Sequence, residues 1–386
     1  MPIYRCFRAL RTVLLLILAG GIIVSSSAHA DDVFTVSDVK VDVTAENAVA
    51  AREKAFGEAQ VQAFTALAQK LLGEDDFKQY KAPDAPVIAA MIKDFEITDE
   101  RLSAVQYIGT YTFRFEGSAV RNHFNTGGVR YSDVGSKPVL VLPFYQAEGH
   151  TVLWQENNPW LAAWSNEREP AGMLVPIAVP LGDIRDVADI GDNEAMTYSP
   201  EGLNSMLTRY GAVEAVIVVA VPEVGIAGAP EAISIMMYRT DTYVPQLVRT
   251  VRVTADAGMD TAALFEKGEK EIRSAIQSDW KTAMAVNPVA ENNAITVHVQ
   301  FQTMQQWVET RQAIMRVQGL TDIKVKSVTP REAQVDIYFV GDENRLRQMM
   351  AQTDLILSQP QMNADVAYGY APSTVYSLTL RKYASY

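Results

Sequence analysis

The run Pro138-Val-Leu-Val-Leu142 constrains this chain more than any other feature. An unbroken apolar run of this length reads as a strand buried on both faces, so the fold must supply a cover on each side. Residues 174–179 and 213–221 repeat the pattern. Residues 232–238 and 246–253 read as two further strands forming a hairpin, and helices fit residues 159–164, 200–210 and 261–284. Strands that alternate with helices predict a layered α/β unit. The Gly/Pro/Ala-rich stretch 225–230 reads as a loop.

The flanking segments follow a different rhythm. Near the N-terminus, Val39, Val41 and Val43 alternate with polar residues, the period of a half-buried strand. Thr44 can cap an Ala-rich helix to residue 72, with Ala55, Ala59, Ala63, Leu67 and Leu71 four apart and Gly73 closing it. Residues 85–95 read as a second helix. Tyr111, Phe113 and Phe115 form an alternating strand, paired with residues 102–106, and Gly117-Ser118 opens a short helix. At the other end, Asn287-Pro288 and Glu291-Asn292-Asn293 read as a linker. After it come a strand at 295–301, an amphipathic helix at 303–317 and a hairpin around Thr329-Pro330. A helix at 343–353 and a strand at 375–380 complete the order βαββαβ, that of a ferredoxin-like module. The expected class is therefore mixed α+β and α/β. It has three small αβ domains after a leader: 31–136, 137–287 and a ferredoxin-like 288–386.

The leader is residues 1–30. Arg5, Arg8 and Arg11 precede twelve largely apolar residues, and Ala28-His29-Ala30 is a small-x-small cleavage site. That order defines a secretory signal peptide cut after Ala30. Its apolar run is shorter than the ~20 residues a membrane span needs. Cys6 lies before the apolar run, not after it, so no lipoprotein anchor is expected. The expected location is the periplasm, with no membrane span after cleavage.

Cleavage sharpens the composition. Three of the 34 basic residues and none of the 46 acidic ones lie in the leader, leaving a formal charge of −15. A chain this acidic will not track a phosphate backbone by charge, which disfavours nucleic acid and anionic membranes. Residues 31–386 contain no cysteine, excluding disulfides, thiolate metal sites and cysteine nucleophiles. Stability must come from packing, and 48% apolar residues allow it.

Motifs for chemistry are missing. His123, His150 and His298 lie far apart without metal-ligand spacing. Asp183, Asp186, Asp189, Asp192 and Glu194 are spaced to spread around a helix and read as a solvated acidic face. Ser37 and Lys40 match Ser-x-x-Lys but sit in an alternating strand, and no Gly-x-Ser-x-Gly or phosphate loop occurs. No catalytic residue, cofactor or metal is assigned. The one surface singled out is Trp154, Asn158, Trp160 and Trp164. Asn158 can cap a helix with Pro159 at its first position, placing Trp160 and Trp164 on one face. Such indoles can present a partner or ligand platform, or pin a loop to the core.

Several stretches carry a resemblance: FTVSDVKVDVTAENAVAAREKAFGEAQ at 34–60, YIGTYTFRFEGSAVRNHF at 107–124, SKPVLVLPFYQAEGHTVLWQENNPWLAAW at 136–164, LVPIAVPLGDIRDV at 174–187, and Trp307 and Arg311 with REAQVDIYFVGDENRL at 331–346. Through them the chain resembles the exported bacterial family known as domain of unknown function 2066. The middle segment is also similar to the N-terminal domain of TolB-type periplasmic proteins. The resemblance implies an envelope protein of Gram-negative bacteria and brings no catalytic residues with it. The expected function is non-catalytic binding or assembly in the cell envelope, with an envelope protein as partner. Two alternatives stand beside it. One is a carboxylate-dependent envelope hydrolase. The other is a small-ligand binder at a domain junction near Trp154 and Trp160.

Overall fold

A computed structural model describes residues 33–147, 149–156, 158–166, 173–225, 229–240, 245–286, 292–362 and 374–383. The leader lies outside them. The protein is mixed α+β, with three sheets and ten helices among the described residues. No helix among them is long and apolar enough to cross a membrane.

The first sheet is built from β1 (Thr35–Thr44), β2 (Ile92–Leu102) and β3 (Gln106–Phe115), in the antiparallel order β1-β3-β2. Val39, Val41 and Val43 of β1 and Tyr107, Tyr111, Phe113 and Phe115 of β3 all face inward. They meet α1 (Ala48–Leu71), whose buried stripe of Ala51, Ala55, Ala59, Ala63 and Leu67 has the predicted four-residue spacing. Small side chains let this helix lie close to an aromatic sheet. Asn47, not Thr44, is its cap, because β1 continues through Thr44 and only Asn47 reaches the Ala50 amide, at 2.9 Å. The short α2 (Glu74–Gln79) and α3 (Ala85–Ala89) follow, and α4 (Gly117–Thr126) closes the segment. The helix expected over 85–95 stops at Ala89. Residues 92–102 instead pair along the whole of β3, and cross-strand pairing outweighs local helix preference.

The central sheet confirms the demand made by the apolar run. Its main path is β5-β4-β7-β8-β9, from β4 (Val139–Ala147), β5 (His150–Val152), β7 (Glu214–Val224), β8 (Pro230–Arg239) and β9 (Gln246–Thr254). Strands β4 and β7 are parallel. Val139 and Val141 join a core with α5 (Pro159–Asn166) and α8 (Thr261–Met284). Leu140, Leu142 and Phe144 point the other way, into a second core with α7 (Pro200–Tyr210) and with Ile190, which follows α6 (Ile184–Asp189). The strand expected at 174–179 contracts to the two-residue β6 (Ile177–Ala178) beside β4. Its upstream part finds a side chain as partner. Gln277 of α8 accepts from the Val175 amide at 3.2 Å and donates to the Val175 carbonyl at 2.6 Å.

The third sheet has the order β11-β12-β10-β14-β13, from β10 (Asn292–Gln300), β11 (Leu320–Val328), β12 (Glu332–Val340), β13 (Leu355–Met362) and β14 (Thr374–Leu380). Helices α9 (Met304–Met315) and α10 (Glu343–Ala351) belong to it. The expected order βαββαβ omits a strand. Residues 355–362 form β13 at the sheet edge, and β14 beside it runs parallel to β10. The omitted strand carries Ser358, Gln359, Pro360 and Gln361, which break the apolar alternation that marks strands. The first and third sheets share the split order strand, helix, hairpin, with the hairpin's second strand between its first strand and the opening strand.

One hydrophobic cluster runs through all three sheets, from Val33 to Leu380. Helix α8 is its spine. Trp280 donates to the Val134 carbonyl at 2.7 Å, and Lys281 to the Gln69 carbonyl at 2.7 Å. Its last carbonyl on Met284 accepts from the buried Arg345 of α10 at 3.2 Å. A single helix thus bonds to the segments before and after its own sheet.

The first sheet supplies a pH test. His123 packs edge-on against Phe64 at 5.8 Å, with Nε2 2.9 Å from the Tyr80 hydroxyl. Burial holds its pKa below the ordinary 6.5. The folded state therefore prefers the neutral ring. Its contribution is complete above the unfolded pKa and is lost as pH falls through the folded one. Urea unfolding from about pH 7 to about pH 5 is expected to show wild type losing more stability than His123→Gln. Parallel profiles would contradict this.

Candidate ligand-binding cleft

The acidic run is solvated only in part: Asp183 is exposed, Asp186 is buried, and each carboxylate meets a donor. Asp183 caps α6, accepting from the Arg185 and Asp186 amides at 2.8 and 2.9 Å, and these bonds hold its carboxyl below the usual range. Asp186 is fully buried. It accepts from Arg209 at 2.8 Å, from the Tyr210 hydroxyl at 2.7 Å and from the Gly182 amide at 3.0 Å. Arg209 also bonds Asp189 at 2.6 Å. Asp192 accepts from the Leu153 and Trp154 amides at 2.8 and 2.7 Å, and Glu194 from the Gly191 amide at 2.8 Å. Spacing shows that such carboxylates diverge, but it does not show what each one meets. Here each meets a donor. No group of three or more His, Cys, Asp or Glu suited to a metal occurs among the described residues.

The tryptophan surface is likewise interior. Asn158 does cap α5, accepting from the Trp160 and Leu161 amides at 3.0 Å each, and its amide donates to the Leu153 carbonyl at 3.0 Å. Trp160 is fully buried, and its indole donates to the Val218 carbonyl at 3.1 Å. Trp164 is 2% exposed, edge-on to Trp160 at 5.6 Å and beneath the Arg273 guanidinium. Trp154 packs on the opposite core and donates to the Ile190 carbonyl at 2.7 Å. The three indoles therefore flank the central sheet on both faces and form no common platform. The helical spacing that aligns Trp160 with Trp164 aligns them with the sheet, where each contributes about 1.5–3 kcal/mol of burial.

A cleft lies elsewhere, between the central and third sheets. Its volume is about 740 Å³, within the range of small-molecule sites. One wall is α7, through Asn204, Leu207 and Thr208. The other is α9, through Glu309, Gln312 and Ala313. A recess of about 390 Å³ continues it, sharing Lys137, Gly211, Arg316 and Thr353. Gly211 has φ of 62°, the left-handed cap that turns the chain out of α7 and into β7.

The cleft is held open by bonds at its base. Gln352, just after α10, accepts from the Lys137 amide at 2.6 Å and the Ser136 hydroxyl at 3.3 Å. Lys137 pairs with Asp354 at 3.0 Å. Lys382 and the Tyr383 hydroxyl both engage Glu309, and with Gln305 they hold its carboxyl down at about 2. Lys382 is correspondingly pushed up by that bond. Arg316, the cap of α9, and Arg381, just after β14, also line the cleft. Neither guanidinium has a side-chain partner among the described residues.

Sequence reasoning missed this site because its parts lie near residues 137, 210, 313, 353 and 381. None carries a motif. No protein-family profile matches the chain, and no curated protein sequence is significantly similar to it.

The α7 wall depends on the Asp186 network and on a close approach at Gly202, where a Cβ would lie 2.1 Å from the Asp189 carbonyl oxygen. Asp186→Ala should cost about 3 kcal/mol by removing the buried acceptor shared by Arg209, the Tyr210 hydroxyl and the Gly182 amide, and Gly202→Ala about 1–3 kcal/mol by overpacking against backbone. Urea unfolding measures both. Values within experimental error of wild type would refute the network's role.

Proposed function

We propose that the chain is exported by a leader cleaved after Ala30 and works in the periplasm as a non-catalytic envelope-binding protein. Its ligand site is the cleft between α7 and α9. The observation that carries this reading is a cleft of about 740 Å³ with ion-paired walls and two arginines without side-chain partners among the described residues. The domain reading belongs to the same proposal: 31–136, 137–287 and a C-terminal 288–386 of ferredoxin-like descent, each contributing one sheet. Strand β13 is an addition to that last module, and β14 takes the place of its final strand, parallel to β10. The family resemblance in the sequence agrees with an envelope address.

The junction reading is kept, but its place moves. Trp154 and Trp160 are occupied by packing, whereas the α7–α9 cleft is open. The hydrolase reading is less favoured by the same geometry. Glu309 and Asp354 both line the cleft, yet a general acid needs a raised pKa. Glu309 is held at about 2 by Lys382, Tyr383 and Gln305, and Asp354 is paired to Lys137.

Two measurements test the proposal. N-terminal sequencing of protein from the periplasmic fraction should begin at Asp31; an uncut chain in the cytoplasm would refute export. Thermal-shift screening of fractionated envelope extract should find a fraction that stabilises wild type and fails to stabilise Gln312→Trp, which fills the cleft. Equal stabilisation of both, or of neither, would refute the cleft as the site.

A further inference from the structure

We propose that the cleft receives a small amphipathic anion, with a phosphate or carboxylate held by Arg316 and Arg381 and an apolar body against Leu207, Ala313 and Leu380. This rests on the cleft being the ligand site and goes on to name the chemistry it selects.

The argument begins with charge. The exported chain carries −15, so its long-range field repels anions. Against that background the cleft gathers four cations, Lys137, Arg316, Arg381 and Lys382, and only two carboxylates, Glu309 and Asp354. Both carboxylates are already matched, Asp354 by Lys137 at 3.0 Å and Glu309 by Lys382 and the Tyr383 hydroxyl. What remains is two guanidiniums.

Both arginines sit on fixed backbone. The Arg316 amide bonds the Ala313 carbonyl at 3.1 Å, and the Arg381 amide bonds the Asp354 carbonyl at 2.7 Å. A guanidinium offers a planar fork of donors that matches a carboxylate or phosphate oxygen pair. The ionised Glu309 disfavours an anionic head placed beside it. Leu207, Ala313 and Leu380 are each less than a tenth exposed, so they give the body of the ligand a surface already shaped. Unmatched donors and apolar wall residues lining one cleft are the arrangement of a site for an amphipathic molecule.

The test is isothermal titration of residues 31–386 with octyl phosphate, octyl glucoside and inorganic phosphate, each below its micelle concentration. Octyl phosphate should bind most tightly, because it alone satisfies both ends. Arg316→Gln and Arg381→Gln should each weaken it about tenfold, the effect of losing one charge-assisted contact. Arg52→Gln, which removes the same charge from the first segment, should leave it unchanged. Sedimentation with phosphatidylglycerol vesicles then separates sources. Co-sedimentation lost in both cleft variants identifies a lipid headgroup; titration without co-sedimentation identifies a free organic anion; either supports the inference. Octyl glucoside binding as well as octyl phosphate, with both variants unaffected, would overturn the anion while leaving the cleft as the site. Equal weakening by Arg52→Gln would overturn it as a mere field effect. No binding by any of the three would overturn it outright, and the Gln312→Trp screen reports separately on the cleft.

Discussion

Everything in this structure hangs on helix α8. It covers one face of the central sheet, and its side chains and last carbonyl bond beyond that sheet in both directions. Trp280 and Lys281 bond carbonyls of the N-terminal segment, Gln277 completes the backbone of Val175, and the Met284 carbonyl receives Arg345 of the C-terminal segment. Buried carbonyls must find donors. A helix that supplies donors to neighbouring segments, and a carbonyl to a third, couples their burial to its own. The continuous apolar cluster is the packing side of the same arrangement.

That coupling places the cleft. With the third sheet fixed to the end of α8 through Arg345, and to Ser136 and Lys137 through Gln352, α9 cannot collapse onto α7. The gap between the two helices is a geometric remainder of docking at the base. Its walls are stiffened independently, α7 by Arg209 and Tyr210 on buried Asp186, and α9 by Glu309 on Lys382 and Tyr383. A preformed cavity loses less ordering entropy on binding than one that must assemble.

What could be read in the sequence follows physical lines. The PVLVL run requires a strand covered on both faces, and the two cores on either side of β4 supply that cover. The four-residue spacing of alanines in α1 is a local signal, and α7 and α8 stand over the expected residues 200–210 and 261–284. Failures came where long-range partners decide. Residues 92–95 join a strand because β3 is beside them. Strand β13 forms although its polar residues break the alternation. No local pattern announces that Asp186 is buried against Arg209, or that Asp192 meets the Leu153 amide. The cleft drew on five separated stretches, and no spacing rule joins them.

The central claim is that α8 and its bonds hold α7 and α9 apart at a fixed distance. Residues 31–386 contain no cysteine, so spin labels can be placed at introduced cysteines alone. Labels at Asn204 and Gln312 report across the cleft from its two walls. Pulsed electron–electron distance measurement on the ligand-free chain should give one narrow distribution, and Arg345→Ala, which releases the third sheet from α8, should broaden it. A broad or multiple distribution in the parent chain, or a narrow one that Arg345→Ala leaves unaltered, would contradict the account.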